Sequence, residues 1–180
     1  MSTAITKILS LESLLKNLDE KNEVSSYLEI MKAAKILPSE FEPFYHWSDD
    51  KYTRNCIHRT DDYELLVICY EKGQITPIHD FDLQEAWVHP IKGKLLEERF
   101  RISTESGLLE KVSATQLGTE DFSYLDEITI HRYSNIYDSR TVSLNLYVKP
   151  VGKWRIYNEW SNESYEQDLK YDSAYGKTFR

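Results

Sequence analysis

The spacing of apolar residues changes once along this chain, from a helical period to a strand period. Ile5, Ile8, Leu11, Leu14, Leu15 and Leu18 recur at helical spacing, with charged or polar residues between them. Residues three and four apart share one helix face, so this stretch predicts an amphipathic helix. A second short helix is predicted from about Val24 to Lys35, ended by Pro38, whose ring and missing N–H cannot continue a helical turn. Pro38 to Asp50 is aromatic and turn-rich and reads as a third short helix or an ordered loop. From Tyr52 the pattern is that of strands. Glu64 to Glu71 (ELLVICYE) is a nearly continuous apolar run, Thr76 to Phe81 a short strand, and Glu85 to Ile102 a long one broken by Pro90 and Gly93. Leu108–Leu117, Glu127–Ser134, Thr141–Lys149 and Trp154–Glu159 follow. Many short strands divided by turn residues predict an all-β sandwich or barrel. Helices first and strands afterwards predict a helical cap over residues 1–50, within the same domain as a β-barrel over 51–160. Residues 161–180 are polar, with Tyr165, Tyr171 and Tyr175, and read as an ordered wrap or a frayed end.

Composition narrows the function classes. A chain of 180 residues, 41% apolar and 13% aromatic, can bury a core. Its net charge of -8 repels phosphate backbones, so no nucleic-acid partner is expected. No apolar run approaches the roughly 18 residues a spanning helix needs, and Met1 to Lys16 lacks a signal-peptide layout. Cys56 and Cys69 are too few for a disulfide framework and fit a reduced cytoplasm. A cytoplasmic monomer with no membrane association is the expectation.

The stretch with chemical content is Gly73 to Gly93, GQITPIHDFDLQEAWVHPIKG. In outline it resembles the first cupin motif, which sets a glycine, a His-x-His pair, an acidic residue or its substitute and a second glycine at fixed intervals. Strand residues i and i+2 point to one face, so two histidines at that spacing aim two imidazoles into a barrel. A third from a distant strand closes one face around a metal and leaves positions open for substrate and oxygen. His79 stands in the first place, and His131, in the alternating stretch ITIHRYSN, is the candidate for the distant one. Either histidine can equally be a hydrogen-bonded core residue. His46, His58 and His89 match no ligand position. Glu97, Glu98, Arg99 and Arg101 read as a solvated strand edge.

Further segments make the resemblance specific. Tyr52-Thr53-Arg54-Asn55 resembles the YTRN segment of cysteine dioxygenases, and TPIHDF their (S/T)PIHxH strand. QEAWVHPIKGKLLEERF resembles their QECWxxxxxGxxxE stretch, IHRYSN the strand of their last ligand, and VSLNLYVKP their VSLHLYxxP. The segments keep the family's order and cover Tyr52 to Pro150. The resemblance implies a cupin jelly-roll barrel with N-terminal helices. It further implies ferrous iron, Fe(II), on histidines that include His79 and His131, and Arg54 pairing with a substrate carboxylate as a guanidinium fork can. Tyr52 would line that pocket, Tyr147 would orient bound substrate, and Ser143 would match the serine of the Ser-x-His-x-Tyr strand. The implied reaction oxidises a small thiol carboxylate, such as cysteine, with O2 to its sulfinate.

Three positions depart from the pattern. Phe81 stands where the second histidine is expected, and a phenyl ring has no lone pair for iron. Ala86 replaces the cysteine that crosslinks to the tyrosine in many members, and Asn145 replaces the relay histidine. Asp80 and Asp82 have the wrong strand parity to complete the site unless a bulge re-aims Asp82. Glu85 would give a two-histidine, one-carboxylate triad, but it alternates with Ala86, which puts it on the opposite face. Two functions stay open. One is a thiol dioxygenase whose metal site is altered, holding Fe(II) or another divalent metal. The other is a cupin without metal or catalysis, retained to bind or sense a small molecule.

Overall fold

Ser10 sets the start of the first helix. In the computed structural model, which describes residues 7–21, 26–81, 85–161 and 163–179, α1 is Leu11–Asp19 and the Ser10 hydroxyl accepts the Ser13 N–H at 3.2 Å. That contact satisfies one of the N–H groups a helix start leaves unpaired. Ile8 therefore lies outside the helix its spacing suggested. It forms an isolated bridge with Ala34, its N–H donating to Ala33 O at 3.0 Å. Ile5 lies outside the described residues. The second helix, α2 (Tyr27–Ala33), opens on a capping box between Ser26 and Glu29; Val24 is also outside the described residues. Pro38–Phe44 is a 3-10 helix. Its Glu40 carboxylate accepts the Leu11 N–H at 2.7 Å, another of the unpaired donors of α1. The chain divides into two compact units, residues 1–43 and 44–180.

Among the described residues the second unit holds thirteen strands: β1 (Thr53–Arg59), β2 (Tyr63–Tyr70), β3 (Ile78–Asp80), β4 (Ala86–Lys92), β5 (Leu95–Ile102), β6 (Leu109–Leu117), β7 (Ser123–Leu125), β8 (Ile130–Ser134), β9 (Thr141–Val148), β10 (Lys153–Tyr157), β11 (Ser164–Asp168), β12 (Ser173–Ala174) and β13 (Lys177–Thr178). One sheet has the order β13-β12-β1-β2-β9-β4-β7, the other β11-β10-β3-β8-β5-β6. Apart from the β5–β6 hairpin, the chain from β2 to β10 switches sheets at every connection, which is how a jelly roll is wound. The all-β cupin barrel expected from the sequence is the fold observed. Between the sheets Leu66, Ile68, Tyr70 and Val88 of the first pack with Leu95, Leu117 and Tyr133 of the second.

Position in the sheet explains the sequence patterns. All of β2 is buried, flanked by β1 and β9, and it reads as an unbroken apolar run. The edge strand β6 is exposed along nearly its whole length and is polar accordingly. Between β4 and β5 the chain turns at Gly93, with φ of +76 and a Cβ position only 2.8 Å from Arg140 O, so the turn requires glycine. The described residues of the tail form strands. They add β11 to the second sheet, and β12 and β13 to the first, where β12 runs parallel to β1.

One expectation is corrected. Glu97 and Glu98 are not at a solvated edge: β5 lies between β8 and β6, and the two residues are only 4% and 5% exposed. Glu97 accepts from Tyr133 Oη at 2.9 Å and Arg99 Nε at 3.2 Å. Glu98 accepts from Lys111 Nζ at 2.9 Å and from Arg132. Arg101 is at the surface, paired with Glu110.

Candidate functional site

The short strand β3 is held between β10 and β8, with His79 in register with Ile156 on one side and His131 on the other. Opposed residues on paired strands project from one face, and the two buried imidazoles meet with ring centroids 4.5 Å apart. Each ring is oriented the same way. His79 Nδ1 lies 2.9 Å from Pro77 O, and His131 Nδ1 lies 2.7 Å from Thr129 O. A carbonyl can only accept, so each Nδ1 carries the proton and each Nε2 keeps its lone pair. Burial pushes the pKa of His79 well below its ordinary value, with the neighbouring His131 as the next cause. Burial lowers that of His131 as well. Both rings are therefore neutral near pH 7.

What surrounds this pair is aromatic rather than metal-binding. Phe81 follows β3 and places its ring 6.4 Å from His79, 5.8 Å from His131 and 5.6 Å from Tyr147. Trp154 of β10 packs on His79 at 4.2 Å. No group of three His, Cys, Asp or Glu side chains that could hold a metal occurs among the described residues. Asp80 alternates with His79 on β3 and accepts the Tyr157 hydroxyl at 2.7 Å. Glu85 is engaged with Tyr124, whose hydroxyl is pushed up to about 12 by burial first and then by that carboxylate. Tyr124 is in register with Trp87, on the face away from Ala86. Asp82 lies outside the described residues. Two neutral imidazoles are a suitable pair of donors, but the third donor that mononuclear iron requires is replaced by a phenyl ring, so the described residues do not fit the three-histidine centre.

Facing this pair is the inner surface of the other sheet. On β9, Ser143, Asn145 and Tyr147 share one face. Ser143 Oγ donates to Asn145 Oδ1 at 2.7 Å, and Asn145 Nδ2 donates to Tyr147 Oη at 3.1 Å. The relay position thus carries hydrogen bonds without a titrating group, and the Tyr147 proton is left to point elsewhere. Burial raises the Tyr147 pKa. Tyr147 is in register with Ala86 on one side and Glu64 on the other. A methyl group therefore stands directly opposite the phenol, with no sulfur to link to it.

Arg54 of β1 is 6% exposed. Its Nη2 is 3.4 Å from Glu64 Oε1, while Nη1 is buried without a partner among the described residues. Glu64, fully buried, also accepts the Val151 N–H at 3.2 Å and the Tyr171 hydroxyl. Tyr52 stacks on Tyr70 at 5.5 Å. Tyr52, Arg54, His79, Phe81, Asn145 and Tyr147 line one narrow pocket that opens to solvent, with enclosed space of about 20 Å³, room for about one water. His131 is not among the lining residues but touches His79 and Phe81, which are, and Ser143 is joined to the cavity through its hydrogen bond to Asn145. Sequence reasoning missed Glu64, Tyr171 and Trp154. Only Glu64 left a signal: it is the carboxylate in phase with Leu66 and Ile68 in an otherwise apolar run.

Comparisons with known proteins agree with this architecture. The family model for cysteine dioxygenase type I matches residues 1–160. Cysteine dioxygenase type 1 of Homo sapiens is 26% identical over 162 residues, 88% of this chain and 80% of that protein. The Danio rerio protein of the same name is 23% identical over 186 residues, 97% of this chain and 92% of its own. Among solved structures, an uncharacterized conserved protein with a double-stranded β-helix domain from Klebsiella pneumoniae subsp. pneumoniae MGH 78578 superposes with a TM-score of 0.50. It covers 60% of this chain and 80% of its own at 15% identity, a likeness of fold alone. Among the described residues no helix is long and apolar enough to cross a membrane.

Proposed function

Because this chain belongs to the cysteine dioxygenase type I family, we propose that its barrel is a small-molecule binding pocket from which the family's iron-dependent thiol oxidation has been lost. Phe81 carries this reading. Its ring lies within 6.4 Å of both imidazoles and of Tyr147, where a third donor would be needed. Rather than a vacancy that water or substrate could fill, the position holds a bulky apolar group. With Trp154 against His79, the former reacting centre is an aromatic wall. A bound molecule would rest its apolar part there and meet the Arg54 N–H and the Tyr147 hydroxyl at its polar end.

A second reading is favoured by one observation. Both Nδ1 atoms are tied to backbone carbonyls, the arrangement that sets a histidine tautomer for metal binding through Nε2. On that reading His79 and His131 hold Fe(II) without a third protein ligand, and a thiol carboxylate such as cysteine is oxidised with O2. Purified protein loaded anaerobically with Fe(II), then given cysteine and oxygen, separates the two. The expected result is no sulfinate above a metal-free control. Sulfinate formed in proportion to bound iron would establish the second reading and end the first.

A further inference from the structure

Among the described residues that line the pocket, the one buried cation, Arg54, is already paired within the fold. Arg54 lies on β1 and Glu64 on the adjacent β2, and the two side chains meet at 3.4 Å, 8% and 0% exposed. Every partner of the Glu64 carboxylate is a donor: Arg54, the Val151 N–H and the Tyr171 hydroxyl. Such a set matches the acceptor-only inventory of the ionised form. Tyr171 itself accepts from Arg59 at 2.8 Å, so the contact is fixed from the outer side as well. Arg59 is exposed and its charge is screened by water. Asp172, the other nearby carboxylate, is paired with Lys51 at 2.8 Å and accepts the Arg54 main-chain N–H at 2.9 Å. The remaining polar groups in the cavity add no charge: His79 is neutral, and Asn145 and Tyr147 are bonded to each other.

Beside the Tyr147 hydroxyl, which accepts from Asn145 and keeps its proton to donate, two buried donors are left over. Arg54 Nη1 is buried without a partner among the described residues, and so is the indole Nε1 of Trp154. Both residues line the cavity. Buried donors are seldom left unpaired in folded proteins, so these N–H groups are suited to an acceptor brought by a ligand. A carboxylate would satisfy them, but it would also carry a net negative charge into a cavity whose guanidinium is already balanced by Glu64, and burying an uncompensated charge is costly. A carbonyl or hydroxyl oxygen satisfies them without that cost.

We infer that Glu64 sets the specificity of the pocket, turning Arg54 from a receptor for carboxylates into a hydrogen-bond donor for a small uncharged molecule with an amide, carbonyl or hydroxyl oxygen. This rests on the reading of the barrel as a binding pocket and names the chemical class it takes. The test uses 3-mercaptopropionamide and 3-mercaptopropionate, which share the thiol chain and carry a neutral amide or a carboxylate at the polar end, titrated into the metal-free protein and followed by NMR line positions. The native protein should bind the amide at least about tenfold more tightly than the anion. In Glu64→Gln, which keeps an acceptor for Tyr171 and removes the charge, the preference should reverse. Equal or tighter binding of the anion by the native chain, no measurable binding of either, or an unchanged preference in a folded Glu64→Gln protein would overturn the inference. Should that variant not fold, the native pair of affinities decides alone. Sulfinate production tests the loss of catalysis and charge preference tests the role of Glu64, so the two can fail separately.

Discussion

Phe81 is the residue whose replacement is most informative. Its ring approaches His79, His131 and Tyr147 at once, and an imidazole there would face two lone pairs already oriented by Pro77 and Thr129. Phe81→His should therefore raise affinity for Fe(II) or Co(II) by at least about tenfold over the native chain, read by metal titration. No gain in a folded variant would mean that the two rings do not share a focus. Much at this scale was legible in advance. The cupin-like motif that singled out His79 and the distant His131, and the family resemblance that singled out Arg54 and Tyr147, led to side chains that the fold gathers around one cavity or beside it. The Arg54–Glu64 pairing was not legible. Its partners lie on different strands and are not opposed in register, which sets Ile68 beside Arg54 and Arg59 beside Glu64, so only the folded side chains show that the two meet.

Elements buried on one or both faces announced themselves through their period, and elements whose role is decided by distant partners did not. β2 and β9 follow directly from their apolar runs. β11 is fully exposed and polar and has no hydrophobic signature; it forms because β10 offers an open edge. Glu97 and Glu98 were misread for a related reason. Two adjacent carboxylates look like a surface until the cations and hydroxyls of neighbouring strands are seen to bond them. The turn joining β4 to β5 offers a direct check. Gly93→Ala adds a methyl group against Arg140 O and Thr141 at a positive φ. It should cost about 1–3 kcal/mol, measured by urea denaturation. A neutral effect would show that the turn can relax.

At the scale of the whole molecule, the pH response of stability follows from a buried carboxylate. Burial works against the charge of Glu98, but Arg132 and Lys111 outweigh it and hold its pKa below the ordinary value near 4.5. A carboxyl depressed in the folded chain contributes stability that is present above its unfolded pKa and lost as pH falls through the folded one. Denaturation midpoints taken from about pH 6 to pH 3 should thus fall more steeply for the native chain than for Glu98→Gln. Parallel slopes would remove Glu98 from the account. The pairing of β12 with β1 has a consequence of another kind. Asn55 and Ser173 are bonded across 118 residues, and the same late segment brings Tyr171 to Glu64. During synthesis on the ribosome the first sheet waits, with one flank bare, until the segment 118 residues beyond Asn55 has emerged. A nascent chain stalled before that point presents an unfinished strand edge to its neighbours, and its cavity lacks the phenol that steadies its electrical balance.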